Sequence, residues 1–152
     1  MINNPTTLLM SSVDNNDLEN VKLAIENGAN IHYKFDDALY SAVKNNNVEI
    51  FKYLIENGLS FNKNDNGYLI KIASTYGHLD IIKYMIEQDI NIHYDNDLSL
   101  IYSFNNKHYD VFLYLLNHGA DIDNCHVYAN NKILEMKQYL RKQKLNKINL
   151  FI

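Results

Sequence analysis

The fold is decided by a stretch of 17 residues, numbers 77–93, which reads GHLDIIKYMIEQDINIH. Apolar residues recur in it at helical spacing, at Leu79, Ile82, Met85 and Ile86. This period predicts an amphipathic helix with one buried face. After a turn at Asp89, the run Ile90–Ile92 alternates apolar and polar residues, as expected for an anchored exit loop. The stretch therefore predicts a helix, a tight turn and a loop.

The same pattern occurs three more times without gaps, in residues 16–32, 46–62 and 107–123. One register position holds an acid in every copy, 30 or 31 residues apart, at Glu19, Glu49, Asp80 and Asp110. A shorter apolar segment precedes each copy, with a small residue that lets two helices approach closely at Ser12, Ala42, Ala73 and Ser103. The sequence therefore predicts four helix–turn–helix–loop units, and each unit must stack on its neighbours to bury its apolar face.

Residues 73–84 have the form A-x-x-x-G-H-L-D-I-I-K-Y, which resembles the ankyrin-repeat pattern A-x-x-x-G-H-L-E-I-V-K-x. Residues 27–31 and 118–122 resemble the E-x-G-A-D-V ending of the same repeat. The resemblance covers about residues 5–125, in four copies that share one register. It implies an all-α ankyrin-repeat solenoid of four helix-turn-helix units.

We expect one domain, residues 1–152, with repeats at about 5–35, 36–65, 66–95 and 96–125. The first repeat has Asn20 where the inner repeats have apolar residues, which is typical of a terminal cap. Residues 127–145 predict a C-terminal capping helix, and residues 146–152 a short tail. The face that would cover the fourth repeat consists of Ile133, Met136, Tyr139 and Leu140.

The chain departs from the family pattern in its loops. The T-P-L-H opening is missing, and its places hold residues 37–40, 68–71 and 98–101. The period is about 30 residues rather than the 33 of the family, which predicts shortened hairpin loops. Short repeats of this kind in a chain rich in Asn, Ile, Lys and Tyr are similar to ankyrin proteins encoded by giant DNA viruses of amoebae. An A/T-rich bacterium or protist is the open alternative.

Composition and charge narrow the function classes. A hydrophobic fraction of 47% supports a packed core. The net charge is -4, but the segment Lys132–Lys147 has six basic residues and one acid, so residues 1–131 carry -9. An acidic body disfavours nucleic acid. The lone Cys125 and the lack of a long apolar run predict an intracellular, cytoplasmic protein (host cytoplasm if viral) without membrane contact. We expect a monomer or weak self-association, since shortened hairpin loops would leave more of the first helices exposed.

Catalytic and metal-binding motifs are not evident in the sequence. No activated Ser or Cys motif and no phosphate-binding Gly loop occurs. In the resembling repeat, His78 and His108 brace the turn between two helices. Cys125 and His126 could form a weak metal site with Asp121 and Asp123, but a polar loop is the simpler interpretation. We therefore expect no enzymatic activity, no cofactor and no metal.

The resemblance implies a protein–protein interaction module that binds a partner protein, of unknown identity, through its concave groove. Tyr side chains are favoured in such contacts. The loop tips would carry Tyr33, Phe35, Lys63, Asp65, Tyr94 and Asn96. The groove face of the first helices would carry Lys44, Tyr76, Tyr102, Asn105 and Asn106. Two alternatives remain open: an adaptor that recruits a host ubiquitin ligase, and nucleic-acid association through the basic C-terminal helix.

The substitution Asp89→Gly is expected to raise the thermal stability of the protein. Asp89 holds the turn position that is glycine in the other units, and a left-handed backbone strains any residue with a Cβ atom. Thermal unfolding of the native and substituted proteins checks this. An unchanged or lowered midpoint would contradict it.

Overall fold

A computed structural model describes residues 4–34, 37–59, 67–127 and 130–149. These ranges contain nine α-helices, one 3-10 helix and no strand, as predicted for an all-α solenoid. The helices are α1 Pro5–Asp14, α2 Leu18–Glu26, α3 Asp37–Lys44, α4 Val48–Glu56, α5 Gly67–Tyr76, α6 Leu79–Glu87, α7 Tyr94–Asn105, α8 Tyr109–Asn117 and α9 Asn130–Asn149. The 3-10 helix spans Ile122–Val127.

The first eight helices form two layers, an inner layer of α1, α3, α5 and α7 and an outer layer of the even-numbered helices. Neighbouring inner helices contact each other more extensively than neighbouring outer helices do. The small side chains at the shared inner position, Ser12, Ala42, Ala73 and Ser103, are all buried and allow this closeness. Outer helices carry the bulkier Phe51, Phe112 and Met85 in the core. The array therefore curves toward its inner layer, which forms the concave side.

Consecutive units are joined by polar side chains that precede the outer helices. Asn47 Nδ2 donates to the carbonyl oxygen of Val13 over 2.6 Å. His78 Nε2, at the same register position one unit later, donates to the carbonyl oxygen of Lys44 over 3.0 Å. Both acceptors lie at the end of the preceding inner helix, where carbonyl groups have no helical partner. These side chains connect the units instead of capping their own helices.

Asp17 holds the same position in the first unit and has a different role. Its Oδ1 accepts a hydrogen bond from the backbone amide of Asn20, so it caps α2. The same contact, followed by a bond from the Asn20 side chain, lowers the pKa of Asp17. One register position therefore caps a helix in the first unit and links two units further along the chain.

α9 covers the apolar end of the fourth unit. Met136 is fully buried, and the ring of Tyr139 stacks on Tyr109 with centroids 4.5 Å apart. Tyr139 also contacts Phe104 and Phe112 edge-on. The helix begins after a 3-10 segment, and it extends four residues into the stretch 146–152 that the sequence indicated as a tail.

The turn after each outer helix is left-handed. Gly28, Gly58 and Gly119 have φ of 82°, 104° and 103°, and Asp89 has φ of 61°. Asp89 therefore adopts the backbone region that strains a non-glycine residue, by about 1 kcal/mol. The exit loops then close through Asx turns, in which Asn30, Asn91 and Asp121 accept from the amide two residues later.

We expect Gly77→Ala to destabilise the protein more than Gly28→Ala does. Both glycines have positive φ, 77° and 82°, so each substitution adds about 1 kcal/mol of backbone strain. A Cβ atom at Gly77 would also overlap the imidazole of His108, whereas a Cβ at Gly28 has nothing within 4 Å. Urea unfolding should therefore give a clearly larger loss for Gly77→Ala. Equal losses would show that the His108 contact does not constrain this turn.

Candidate binding groove

The inner helices present one face that the outer layer does not cover. On α3 and α5, the exposed and half-buried residues follow i, i+3, i+4, i+7, and buried residues fill the positions between them. The equivalent positions of α1 are also exposed or half-buried, whereas only the last two of α7 are exposed. We call this face the concave stripe. It consists of Thr7, Met10, Ser11, Asp14, Asp37, Tyr40, Ser41, Lys44, Tyr68, Lys71, Ile72, Thr75, Tyr102 and Asn105.

The predicted groove residues fall into three places. Lys44, Tyr102 and Asn105 belong to the concave stripe and are exposed. Tyr33, Tyr94 and Asn96 lie at the loop edge, where the inner helices begin. Tyr76 and Asn106 lie at the opposite edge, at the ends of α5 and α7. Phe35, Lys63 and Asp65 are outside the described residues. An inner helix of eight residues is about 12 Å long, so these side chains spread across the groove rather than along one line.

The sequence prediction omitted several residues of the concave stripe. Met10, Tyr40, Tyr68, Lys71 and Ile72 are half-buried there and add aromatic and aliphatic area between the exposed side chains. Helical spacing in the sequence identifies some of these residues. Tyr40 lies four residues before the predicted groove residue Lys44, and Tyr68 lies three residues before Lys71, so each pair shares one face of its helix. The floor of the groove is therefore more apolar than the predicted set of Tyr, Asn, Lys and Asp.

A depression of about 420 Å³ opens at the loop edge of the first two units. Tyr33 is exposed there, and the ammonium of Lys34 lies 5.2 Å from the centroid of its ring. Asp37 is half-buried in the same depression. The remaining lining is Asn4, Thr6, Thr7, Met10 and Asn30. This depression combines an aromatic face, both signs of charge and several polar groups within reach of a partner side chain.

Tyr76 is exposed and held by its neighbour. Its ring stacks on His78, with centroids 5.8 Å apart and an angle of 13° between the planes. His78 is itself fixed by the bond to the carbonyl of Lys44. The orientation of Tyr76 is therefore set by the side chain that joins the second and third units, which reduces the entropy that it would lose on binding.

Tyr94 and Asn96 belong to a strained turn at the start of α7. Asp95, Asn96 and Asp97 all have positive φ, between 51° and 58°, although none is glycine. The ring of Tyr94 packs on Gly67, where a Cβ atom would overlap it. Tyr94 is consequently half-buried in the joint between units, and Asn96 is the more accessible of the two.

Asp97 holds this turn in place from inside the protein. Its carboxylate is buried, with Oδ1 2.9 Å from Nδ1 of His93 and Oδ2 accepting from Nδ2 of Asn124 over 2.6 Å. Its carbonyl oxygen lies 3.5 Å from the sulfur of Cys125. Buried polar atoms need such partners, because removing them from water costs free energy unless new hydrogen bonds replace those to water. Asp97 therefore joins the loop edge of the groove to the segment that leads into α9.

The described residues offer no obvious reactive centre. Burial, followed by the nearby carboxylates of Asp97, Asp121 and Asp123, raises the pKa of the Cys125 thiol to about 12. A thiol of that pKa is a poor nucleophile at neutral pH. No group of three His, Cys, Asp or Glu residues suited to a metal ion occurs among the described residues. Across the same ranges, no helix combines the length and apolarity that crossing a bilayer requires.

The basic C-terminal helix is partly neutralised within the chain. Lys132 pairs with Glu135 at 2.7 Å, and Lys137 pairs with Asp123 of the 3-10 segment at 2.5 Å. Arg141, Lys142 and Lys144 are exposed and form no ion pair with a described residue. Its available positive charge is therefore concentrated in its second half.

Removal of the Asn124 side chain should destabilise the fold. Asn124→Ala leaves Oδ2 of Asp97 without its donor in a buried site, which costs about 1–3 kcal/mol. Asn106→Ala is the matched control, because Asn106 donates only to the exposed end of α7, and its loss should stay below about 0.5 kcal/mol. Urea unfolding measures both. Similar small losses would mean that water replaces Asn124 at Asp97.

Comparison with known proteins agrees with this architecture. The family model described as ankyrin repeats (3 copies) matches residues 2–65 and again residues 62–124. A search of curated proteins found no significant match. The two matches together cover most of the chain, in the part that forms the paired helices. The chain belongs to the ankyrin-repeat family.

Proposed function

We propose that this protein binds a partner protein through its concave stripe and the adjoining loop edge. Ankyrin repeats are generally protein–protein interaction modules and are typically non-catalytic. The observation that carries the proposal is the exposure of Tyr33, Tyr76 and Tyr102, all on the inner-layer side. Every other Tyr and Phe side chain that the structure describes is more covered. Exposed tyrosines on a rigid surface bind at low entropic cost.

The groove is better suited to a protein than to a nucleic acid. Its described charges are mixed, with Asp14 and Asp37 as well as Lys44 and Lys71, and its described residues form no basic track for a phosphate backbone. On α9, Lys132 and Lys137 form ion pairs with described residues, and the exposed cations Arg141, Lys142 and Lys144 do not. Nucleic-acid association, ligase recruitment, a viral source and a cytoplasmic location remain predictions from the sequence.

The triple substitution Tyr33→Ala, Tyr76→Ala, Tyr102→Ala should abolish partner binding and leave the fold intact. Each side chain is exposed, so the unfolding free energy should change little. The matched control replaces Glu56, Glu87 and Asn117 by Ala, because these exposed residues end the three successive outer helices α4, α6 and α8. Affinity capture from cell lysate with the native protein and both variants is the measurement.

We expect a protein that the native form and the outer-face control retain and the tyrosine variant loses. Direct titration of that protein should show at least a tenfold weaker affinity for the tyrosine variant, as hot-spot truncation predicts. A partner that binds all three forms equally would exclude the groove. Loss of binding in the control alone would place the site on the convex side.

A further inference from the structure

One register position on the outer helices faces the preceding unit. Tyr84 of α6 holds it, and its ring meets Phe51 of α4 edge-on, with centroids 5.8 Å apart. The ammonium of Lys52, also on α4, lies 5.2 Å from the centroid of the same ring. The equivalent residue of α2 is Leu23. A residue at this position is therefore covered by a helix of the unit before it.

Leu23 has no such helix among the described residues and is 47% exposed. Glu19 and Glu26 lie four residues before it and three after it, on the same face of α2. Glu19 pairs with Lys22 at 2.8 Å yet stays largely in solvent, and Glu26 is exposed. We call this surface of Glu19, Leu23 and Glu26 the α2 edge. No described helix covers it, and it has an aliphatic side chain between two acids.

α9 has the complementary surface at the other end of the array. Leu134 and Leu145 are 55% and 60% exposed, eleven residues apart, and therefore on one face of the helix. That face is opposite to Met136, which packs on the fourth unit. The exposed cations Arg141, Lys142 and Lys144 surround Leu145. The outward face of α9 thus consists of leucine between basic side chains.

Outside the groove, the exposed large apolar side chains of the described residues lie on these two surfaces alone. Six large apolar side chains are exposed in the described part of the chain, and three of them are the groove tyrosines. The other three are Leu23, Leu134 and Leu145, which lie only on the α2 edge and on the outward face of α9. These two surfaces carry opposite charge and lie on the first and last units of the described array.

We propose that the outward face of α9 docks on the α2 edge of a second copy of this chain. α9 then occupies the place of a preceding outer helix, with Leu145 against Leu23 and with Arg141 and Lys142 beside the acids. Two α9 faces repel each other, and so do two α2 edges, because the net charge of each surface has one sign: Glu19 and Glu26 outnumber Lys22 on α2, and the cations outnumber Glu135 on α9. The contact is therefore head to tail, between different surfaces of the two copies, rather than a contact of one surface with itself.

The association is weak and sensitive to salt. α2 has nine residues, so the contact buries less than the roughly 800 Å² per partner of a stable interface. Its charges are exposed, and ions screen them beyond about 10 Å at 0.1 M salt. The mean mass of the native protein should rise with concentration at low ionic strength and fall back toward the monomer in high salt.

Charge exchange between the two surfaces tests the proposal by sedimentation velocity. One variant carries Glu19→Lys and Glu26→Lys, so that both of its surfaces are basic. The other carries Arg141→Glu and Lys142→Glu, so that both are acidic. Each variant alone should stay monomeric, and an equimolar mixture should associate as the native protein does. Circular dichroism confirms that both variants are folded.

Two results would overturn the proposal. One is a native protein that stays monomeric at low salt up to about 1 mM, the weak limit of specific association. The other is an associating native protein whose two variants do not associate on mixing, which would place the contact on another surface. The variant lacking Tyr33, Tyr76 and Tyr102 should associate normally, so this test is independent of the proposed groove function.

Discussion

Stacking of consecutive units is the constraint on which the rest of this structure depends. A single helix pair of this length has only a few apolar residues and cannot form a core of its own. The core arises only where the inner helices approach through Ser12, Ala42, Ala73 and Ser103. The bonds from Asn47 and His78 to the preceding inner helices then fix the distance and the register of that approach.

Both ends of the described array show how side chains are arranged where the described residues provide no further unit. In the first unit, Asp17 turns back to cap its own helix, and Leu23 is left exposed where later units have covered tyrosines. At the other end, Met136 and Tyr139 of α9 cover the apolar face of the fourth unit. The opposite face of α9 carries the exposed Leu134 and Leu145. The end helices of a linear array therefore keep some apolar side chains exposed to solvent.

Contacts between consecutive units also hold the side chains of the groove in place. Tyr76 is oriented by His78, and the strained turn of Tyr94 and Asn96 is held by the buried carboxylate of Asp97. Asp97 in turn contacts Asn124, whose segment is tied to α9 through the pair of Asp123 and Lys137. Tyr76 and the turn of Tyr94 and Asn96 are therefore positioned by contacts between units, and a surface ordered in this way loses little entropy on contact with another molecule.

The sequence by itself determined the helical units, their register and the family, because a repeat of 30 or 31 residues shows the same helical period four times. It also indicated the left-handed turn at Asp89 and the apolar face of α9. Only the tertiary structure decided that Asn47 reaches Val13, that Asp97 is buried, and that Tyr40 and Tyr68 belong to the concave stripe. These facts depend on which unit lies beside which, and local periodicity contains no information about partners about 30 residues away.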